Sequence, residues 1–572
     1  LEYFVRLAVY TLALALLCAL SACGGSAPEL AASETRLPEA GALDTRSLPQ
    51  LPTPLELVGQ SGASRQSSAV GDSVLLTGDQ FDETLPNLNV TGSSFFELLF
   101  MSGGWQGSKD PADLSYGMFS FDLTGLTPEP RVRADWIIGP YEGDAAYIAV
   151  ANFDSNRWQW FDGVANLPAL EPYKDANQRM LVVVLLAGTN DLQLGGVSVG
   201  VAWDSTEVVD YGVFDQIQLN TDIELVLADG FPAIAYIEEI QDSQEFYVRF
   251  VRALDANGKS WGAAIDLLGP FPYVGGISLA LVDGNPAIAW HDEERTEDSD
   301  SLGSLNFIRA TDAQGTSWGE SIVVNDGMGD NHGIAPYLTI INGLPAISYN
   351  NDGADGFSKG LMYVQASAAD GSAWKTPVEV KGPVSGGYGP YGAPLVEIDG
   401  FPAMAYQAGI DREIVGYVRS VDANGDEWNF GTTFNVSNYS GYSLFLADFG
   451  GVPAMVYDTN NTDITRWRVA NDADGQVWQD PVTVYASGPG DPGSQPRGLV
   501  FVDGNPGVLV DQYNDNRLVF VRADDSMGSS WGEPEHVTYT QEYSGMSNMK
   551  MLGEVPAFVY VNGGQLVYSQ LN

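Results

Sequence analysis

The chain has 572 residues, with 74 Asp and Glu against 26 Lys and Arg, for a formal net charge of −48. That length is too great for one ordinary core, and that charge argues against any partner bound by neutralising phosphate, whether nucleic acid or anionic lipid headgroups. Apolar residues make up 44% and charged residues 17%, enough to bury a real core, and 65 Gly with 31 Pro favour tight turns over long helices.

The first segment reads as an export signal. Arg6 precedes an apolar run from Leu7 to Leu20, which is short for a membrane-spanning helix and has the form of a signal-peptide core. Cys18 and Cys23 are the only cysteines, so the chain beyond residue 23 holds no disulfide framework and no Cys-based zinc site. The text Leu20-Ser21-Ala22-Cys23-Gly24 resembles the lipobox of bacterial lipoproteins. The resemblance implies cleavage before Cys23, lipidation of that cysteine and a membrane partner through the lipid anchor. Gly24 rather than Asp after the cysteine implies the outer membrane or cell surface. Residues 1–22 are then the signal peptide, and 23–61 the lipidated N-terminus and a flexible Ala-, Ser- and Pro-rich stalk. The alternative is an ordinary signal peptide cut near Ala22.

Residues 62–204 carry short apolar runs such as YGMFSFDLTGL, AYIAVANFD and MLVVVLLAG, separated by Gly, Asp, Asn and Pro. This pattern predicts an antiparallel β-sandwich. Trp158 and Trp160 alternate on one predicted strand, as core or as a sugar-stacking pair.

From residue 205 onward one phrase recurs seven times: Gly-x-Pro followed by apolar alternation, as in DGFPAIAY. Its prolines are Pro232, Pro286, Pro345, Pro402, Pro453, Pro506 and Pro556, between 50 and 59 residues apart. About 30 residues after each of the first six comes a second phrase, such as LDANGKSW, with Trp261, Trp318, Trp374, Trp428, Trp478 and Trp531. Asp-Gly or Asn-Gly suits a tight hairpin, and the alternation after Pro suits a half-buried strand. Four strands per repeat describe one blade of a β-propeller. The fold expected is therefore all-β: a seven-bladed β-propeller over 205–572 preceded by a small antiparallel β-sandwich. A strand at 212–220, GVFDQIQLN, is expected to complete the last blade and remove the sheet edges.

The second phrase resembles the Asp-box of bacterial neuraminidase repeats, Ser/Thr-x-Asp-x-Gly-x-x-Trp. The Asp falls on Asp255, Asp312, Asp422, Asp472 and Asp525, with Ala368 the exception, and the opening hydroxyl survives only at Ser420. The resemblance implies a sialidase-like fold and raises glycan-cleaving activity. That family's active site needs an arginine triad, a Tyr/Glu nucleophile pair and an Asp acid/base, with one arginine in Phe-Arg-Ile-Pro. The nearest text, Thr35-Arg36-Leu37-Pro38, lies in the stalk. Arg252, Arg309, Arg419 and Arg522 each stand three residues before the Asp position, so they repeat as a structural element would. Neither a P-loop nor Gly-x-Ser-x-Gly nor His-Glu-x-x-His occurs, and His291, His332 and His536 lack metal-ligand spacing.

No catalytic residue is assigned. The function expected is a lipid-anchored binding or scaffold protein, monomeric, engaging a glycan or protein ligand; the alternative is a glycosidase or lyase. Loops between repeats and loops after second strands share one face, and they are rich in Tyr and Asp. The candidate ligand contacts are Tyr273, Tyr388, Tyr391, Tyr442 and Tyr543. Asp292, Asp352, Asp458 and Asp511 are the polar or cation-binding candidates. No cofactor is required by any motif, and oxygen-rich loops leave calcium possible. The residue at the second-strand exit varies between repeats: Ile237, His291, Asn350, Gln407, Asp458, Asp511 and Val561.

Overall fold

The structure, a computed structural model, describes residues 51–571 apart from gaps, the longest being 59–67, 88–104, 107–113, 211–222 and 540–547. The chain divides into two units, Leu1–Leu51 and Pro52–Asn572, and the described strands all belong to the second. The expected signal peptide, Cys23 and the stalk to residue 50 lie outside the described residues. The helix Pro54–Leu57 is four residues long, and no described helix is long and apolar enough to cross a membrane.

Period-two alternation dominates the sequence, and strands dominate the structure. Between residues 68 and 199 two antiparallel sheets face each other across one core. Val74, Leu76, Val132, Leu194 and Val197 from one sheet meet Phe119, Phe121, Ile148, Val182 and Val184 from the other. This is the expected sandwich. Trp158 and Trp160 lie on its edge strand Arg157–Asp162, both half-buried. Trp158 donates its indole N–H to the Pro52 carbonyl at 2.8 Å, so it holds the segment leading into the short helix.

The remainder of the described residues forms seven antiparallel repeats, at 223–271, 274–325, 331–381, 388–435, 440–486, 494–539 and 550–571, each of four strands except that the first strand of the fourth is split into Tyr388–Tyr391 and Leu395–Ile398, and the last is completed by Trp203–Asp210. Repeats 2 and 3 share one sheet through a single parallel bridge, Gly303 to Asn331. Tight hairpins join first to second strands because both central residues take positive φ, for example Asp229 at 48° and Gly230 at 76°. Gly supplies that conformation at low cost and Asp tolerates it.

The third turn of each of the first six repeats carries the second phrase, with its Gly and Trp and, in all but repeat 3, its Asp. In repeat 2 the Asp312 carboxylate accepts the backbone N–H groups of Gln314, Thr316 and Ser317 at 2.8–3.0 Å. The Trp318 indole donates to the Gly315 carbonyl at 2.9 Å. Trp318 then stands edge-on to Phe250, a third-strand residue of repeat 1, with ring centroids 5.2 Å apart. The arrangement recurs around the ring as Trp374 on Phe307, Trp428 on Tyr363, Trp478 on Tyr417 and Trp531 on Trp467. Trp261 of repeat 1 packs on Tyr568 of repeat 7, which closes the circle. In repeat 3, where Ala368 replaces Asp, Asp370 accepts Ser372 N–H and hydroxyl instead.

The four arginines before these turns have the structural role that their repetition suggests. Arg252, Arg309, Arg419 and Arg522 donate to the carbonyls of Ala228, Val282, Ile398 and Val502, at the entrance to the hairpin of the same repeat. Gln365 makes the same bond to Ile341 in repeat 3.

The closing strand differs from the expectation. Both edges of the last strand, Gln565–Leu571, are occupied, one by Val555–Asn562 and the other by Trp203–Asp210. The segment 212–220 therefore cannot complete this repeat in that position, and it lies outside the described residues. Trp203 decides the register. It is 1% exposed and stands edge-on to Phe520 and Phe558, at 5.4 and 5.6 Å. It meets the third-strand aromatic of repeat 6 as each turn tryptophan meets its own predecessor. Asp204 beside it pairs with Arg131 of the sandwich at 3.2 Å and with Lys259 of repeat 1.

Candidate functional site

A four-stranded meander places its first and third turns at one end. Its second turn and the crossing to the next repeat lie at the other. The parallel bridge between Gly498 and Met549 shows neighbouring first strands running the same way, so these ends form two faces. One face consists of the hairpins and the Asp–Gly–Trp turns, whose polar groups largely satisfy each other.

The opposite face has a different construction. First strands bulge there in repeats 2 to 6, with register shifts at Val274/Ile277, Ile334/Tyr337, Tyr388/Tyr391, Ser440/Leu444 and Pro496/Gly498. Opposite or beside each bulge is the variable exit residue of the second strand. His291, Asn350, Gln407, Asp458 and Asp511 are all buried, none more than 6% exposed. Strand alternation explains where they point. Ile237 packs with Val274 and Ile277 of the next repeat, so the exit position faces forward, whereas the preceding aromatic, such as Tyr236 beside Val559, faces back.

These exit residues prop the bulges. A Cβ on Gly275 would lie 2.2 Å from the His291 ring, so the bulge passes only because position 275 has no side chain. Asp458 accepts the backbone N–H of Ser443 at 3.4 Å. Asp511 pairs with Arg497, the bulged residue of its own repeat, at 2.9 Å. Burial pushes the Asp511 carboxyl above its ordinary range, against the pull of Arg497. Asp458 and Asp511 thus lie beneath the face rather than on it.

The other expected contacts divide. Asp292 is half-buried and accepts the Ser304 hydroxyl at 2.6 Å. Asp352 ends the strand Leu344–Asp352, opposite Asn331 and Ser358. Tyr273 is half-buried against Phe246, centroids 5.4 Å apart, and its carbonyl accepts Glu293 N–H at 3.2 Å. Tyr388 and Tyr391 sit opposite Gly409 and Gln407 on adjoining strands, and Tyr442 lies within Ser440–Phe449. Tyr543 and the loops 353–357 and 460–463 lie outside the described residues. His291 and His332 come to the same rim on adjacent repeats. Asn325 donates to Tyr349 at 2.8 Å and lies 2.9 Å from His332 Nδ1. His536 lies apart, on an outer strand beside Arg517. Among the described residues no group of three or more His, Cys, Asp or Glu is placed to hold a metal ion.

Sequence reasoning missed a second feature. Lys550, on the first strand of repeat 7, pairs with Glu224 on the first strand of repeat 1. Tyr337, on the first strand of repeat 3, is electrostatically coupled to both. First strands are innermost, so three repeats send polar groups toward the middle of the ring. Burial raises the Tyr337 hydroxyl, with Lys550 opposing and Glu224 reinforcing. Burial alone would lower the Lys550 ammonium, but Glu224 and Tyr337 outweigh it and the result is upward. The signal in the sequence was a lone charge in an otherwise apolar strand, Glu224 in IELVLA and Lys550 in KML.

No protein-family model matches the chain, and no curated protein matches it. Solved structures do. A protein of unknown function from Dyadobacter fermentans is 12% identical, with a TM-score of 0.39, over 65% of this chain and 99% of that one. The phage phi92 endosialidase is 11% identical, with a TM-score of 0.41, over 65% of this chain and 69% of its own. The polysaccharide lyase Uly1 is 10% identical, with a TM-score of 0.41, over 64% of this chain and 92% of its own. The propeller architecture itself rests on the repeated antiparallel sheets and on the contact of repeat 1 with repeat 7. Similarity at this level says nothing of what the chain binds.

Proposed function

We propose that this chain is a lipid-anchored, extracytoplasmic binding protein, a divergent Asp-box propeller whose seven repeats close as seven blades. Its ligand, a glycan or a protein segment, rests on the face of unit-to-unit crossings and second-strand loops. One observation carries the reading. A single register position, repeated in five successive repeats just beneath that face, holds an imidazole, two carboxamides and two carboxylates, while the opposite face repeats one self-saturated turn. Asymmetry on one face of a symmetric ring is what a specific ligand requires. Tyr273, Tyr388, Tyr391, Tyr442 and Tyr543 supply flat apolar contacts at modest entropic cost, with Asp292 and Asp352 as polar groups. Binding to a glycan array should be lost in the Tyr388→Ala/Tyr391→Ala double variant with its melting temperature unchanged. Intact binding in that variant would remove the site from this face.

The second reading is a glycan-acting enzyme. It is favoured by the convergence of Glu224, Lys550 and Tyr337 from three repeats, because a reaction centre needs titratable groups brought together rather than repeated. A panel of fluorogenic glycosides decides between the two. Turnover by pure protein that falls in Glu224→Gln would establish the enzyme, and an inert panel leaves the binding protein.

A further inference from the structure

The proposed ligand face belongs to the propeller alone, which leaves the sandwich without a role; its contacts with the ring supply one. In the sandwich strand Arg131–Ile138, Val132 and Ala134 point into the core, so Arg131 and Arg133 alternate onto the opposite face. Both reach the propeller. The Arg131 guanidinium pairs with Asp204 at 3.2 Å, and Arg133 donates to the Val537 carbonyl at 2.9 Å. Asp204 belongs to the strand Trp203–Asp210 that completes repeat 7, and Val537 to the outermost strand of repeat 6. Lys259, in the third turn of repeat 1, pairs with Asp204 as well. One strand of the sandwich therefore bears on three successive repeats, 6, 7 and 1.

These repeats contain the seam of the ring. Repeats 1 to 6 each follow one continuous run of chain, whereas repeat 7 joins 550–571 to a strand delivered from the sandwich. The delivery leaves little slack. The Arg131 carbonyl accepts the Gly200 N–H at 2.8 Å while its guanidinium holds Asp204, so one residue grips both ends of the stretch 200–204. Asp204 is 8% exposed, and taking a cation from a buried carboxylate costs more than breaking a surface pair. Val537 is buried in the cluster that holds Trp203, so the Arg133 bond fixes the surface against which the closing strand packs. We infer that the sandwich is a clamp on this seam: the ring opens between Trp203–Asp210 and Gln565–Leu571, and Arg131 and Arg133 must release before it does. A closing strand held at both ends re-pairs at a higher effective concentration than one tethered only beyond residue 210.

Hydrogen exchange read by mass spectrometry on the full chain tests the clamp, with Arg131→Gln and Arg133→Gln made singly and together. In the double variant the segments 203–210 and 565–571 should exchange at least about tenfold faster, the loss of charge-assisted bonds being felt locally. The strand Leu344–Asp352 of repeat 3, across the ring, should keep its rate. Arg133→Gln alone leaves Asp204 with both its cations and should give a smaller rise in the same two segments; it carries the test if the double variant does not fold. Unchanged exchange in those segments would overturn the clamp. A rise shared equally by repeat 3 would overturn it too, because it would mark a general loss of stability rather than the opening of a seam.

Discussion

At Gly475, φ is 61° and a Cβ would lie 2.3 Å from the Tyr417 ring of the preceding repeat. At Gly230, φ is 76° but no atom lies within 4 Å of that position. Both alanines would carry the cost of the left-handed region, of order 1–3 kcal/mol, but only Gly475→Ala also displaces an aromatic. The difference between their melting temperatures therefore isolates the packing between repeats, and equal losses would show that the ring contact contributes nothing. Trp318→Ala should cost about 3 kcal/mol, the lower end for a large aromatic, because Trp318 is only half-buried; chemical denaturation measures it. A pH effect belongs to this scale too. Burial lifts the Glu535 carboxyl to about 7, with Arg522 opposing. A carboxyl raised in the folded state binds its proton more tightly there than in the unfolded chain, so stability falls as pH rises from about 4.3 to about 7. Glu535→Gln should flatten that part of the melting profile, and an unchanged profile would place the titration elsewhere.

The closing strand Trp203–Asp210 holds the ring together at the scale of an element. It pairs with Gln565–Leu571 across most of its length, its first residue fills the aromatic cluster between repeats 6 and 7, and Asp204 ties it to the sandwich and to repeat 1. Deleting 203–210 should expose one edge of the last sheet and leave Phe520 and Phe558 without their partner. Aggregation or a large fall in melting temperature is expected, while deletion of 212–220 should leave the last sheet intact. The reverse order of effects would return closure to the downstream segment. Trp203 also shows what pattern reading overlooked. Gly200 and Trp203 have the same spacing as Gly258 and Trp261, and Gly200 likewise has positive φ, at 81°.

For the whole molecule, charge and address meet. An excess of 48 negative charges repels anionic lipid, so attachment to a membrane requires an anchor outside the folded body. Two or more acyl chains on Cys23 would supply it, since a single chain binds only marginally. Metabolic labelling with a fatty-acid analogue should mark the mature protein, and Cys23→Ser should abolish the label. A mature terminus at any other residue would exclude the lipoprotein.

Several features of the architecture were legible because they depend on local chemistry repeated many times. Asp-Gly and Asn-Gly turns, period-two strands and the Asp–Gly–Trp turns each act within about a dozen residues, and their recurrence about every 50 residues announces a ring of sheets. The role of Arg252, Arg309, Arg419 and Arg522 followed from the same repetition. What only the tertiary structure decided depends on residues far apart in sequence. Trp203 and Phe520 are separated by more than half the chain, yet their packing selects the closing strand. Glu224 and Lys550 meet only because the last repeat returns to the first. Asp458 reads as a surface acid in a polar loop, but strand alternation turns it into the interface with repeat 6, and burial there changes what it can do. Sequence by itself specifies which way successive side chains alternate; which partner covers each side is determined when the ring closes.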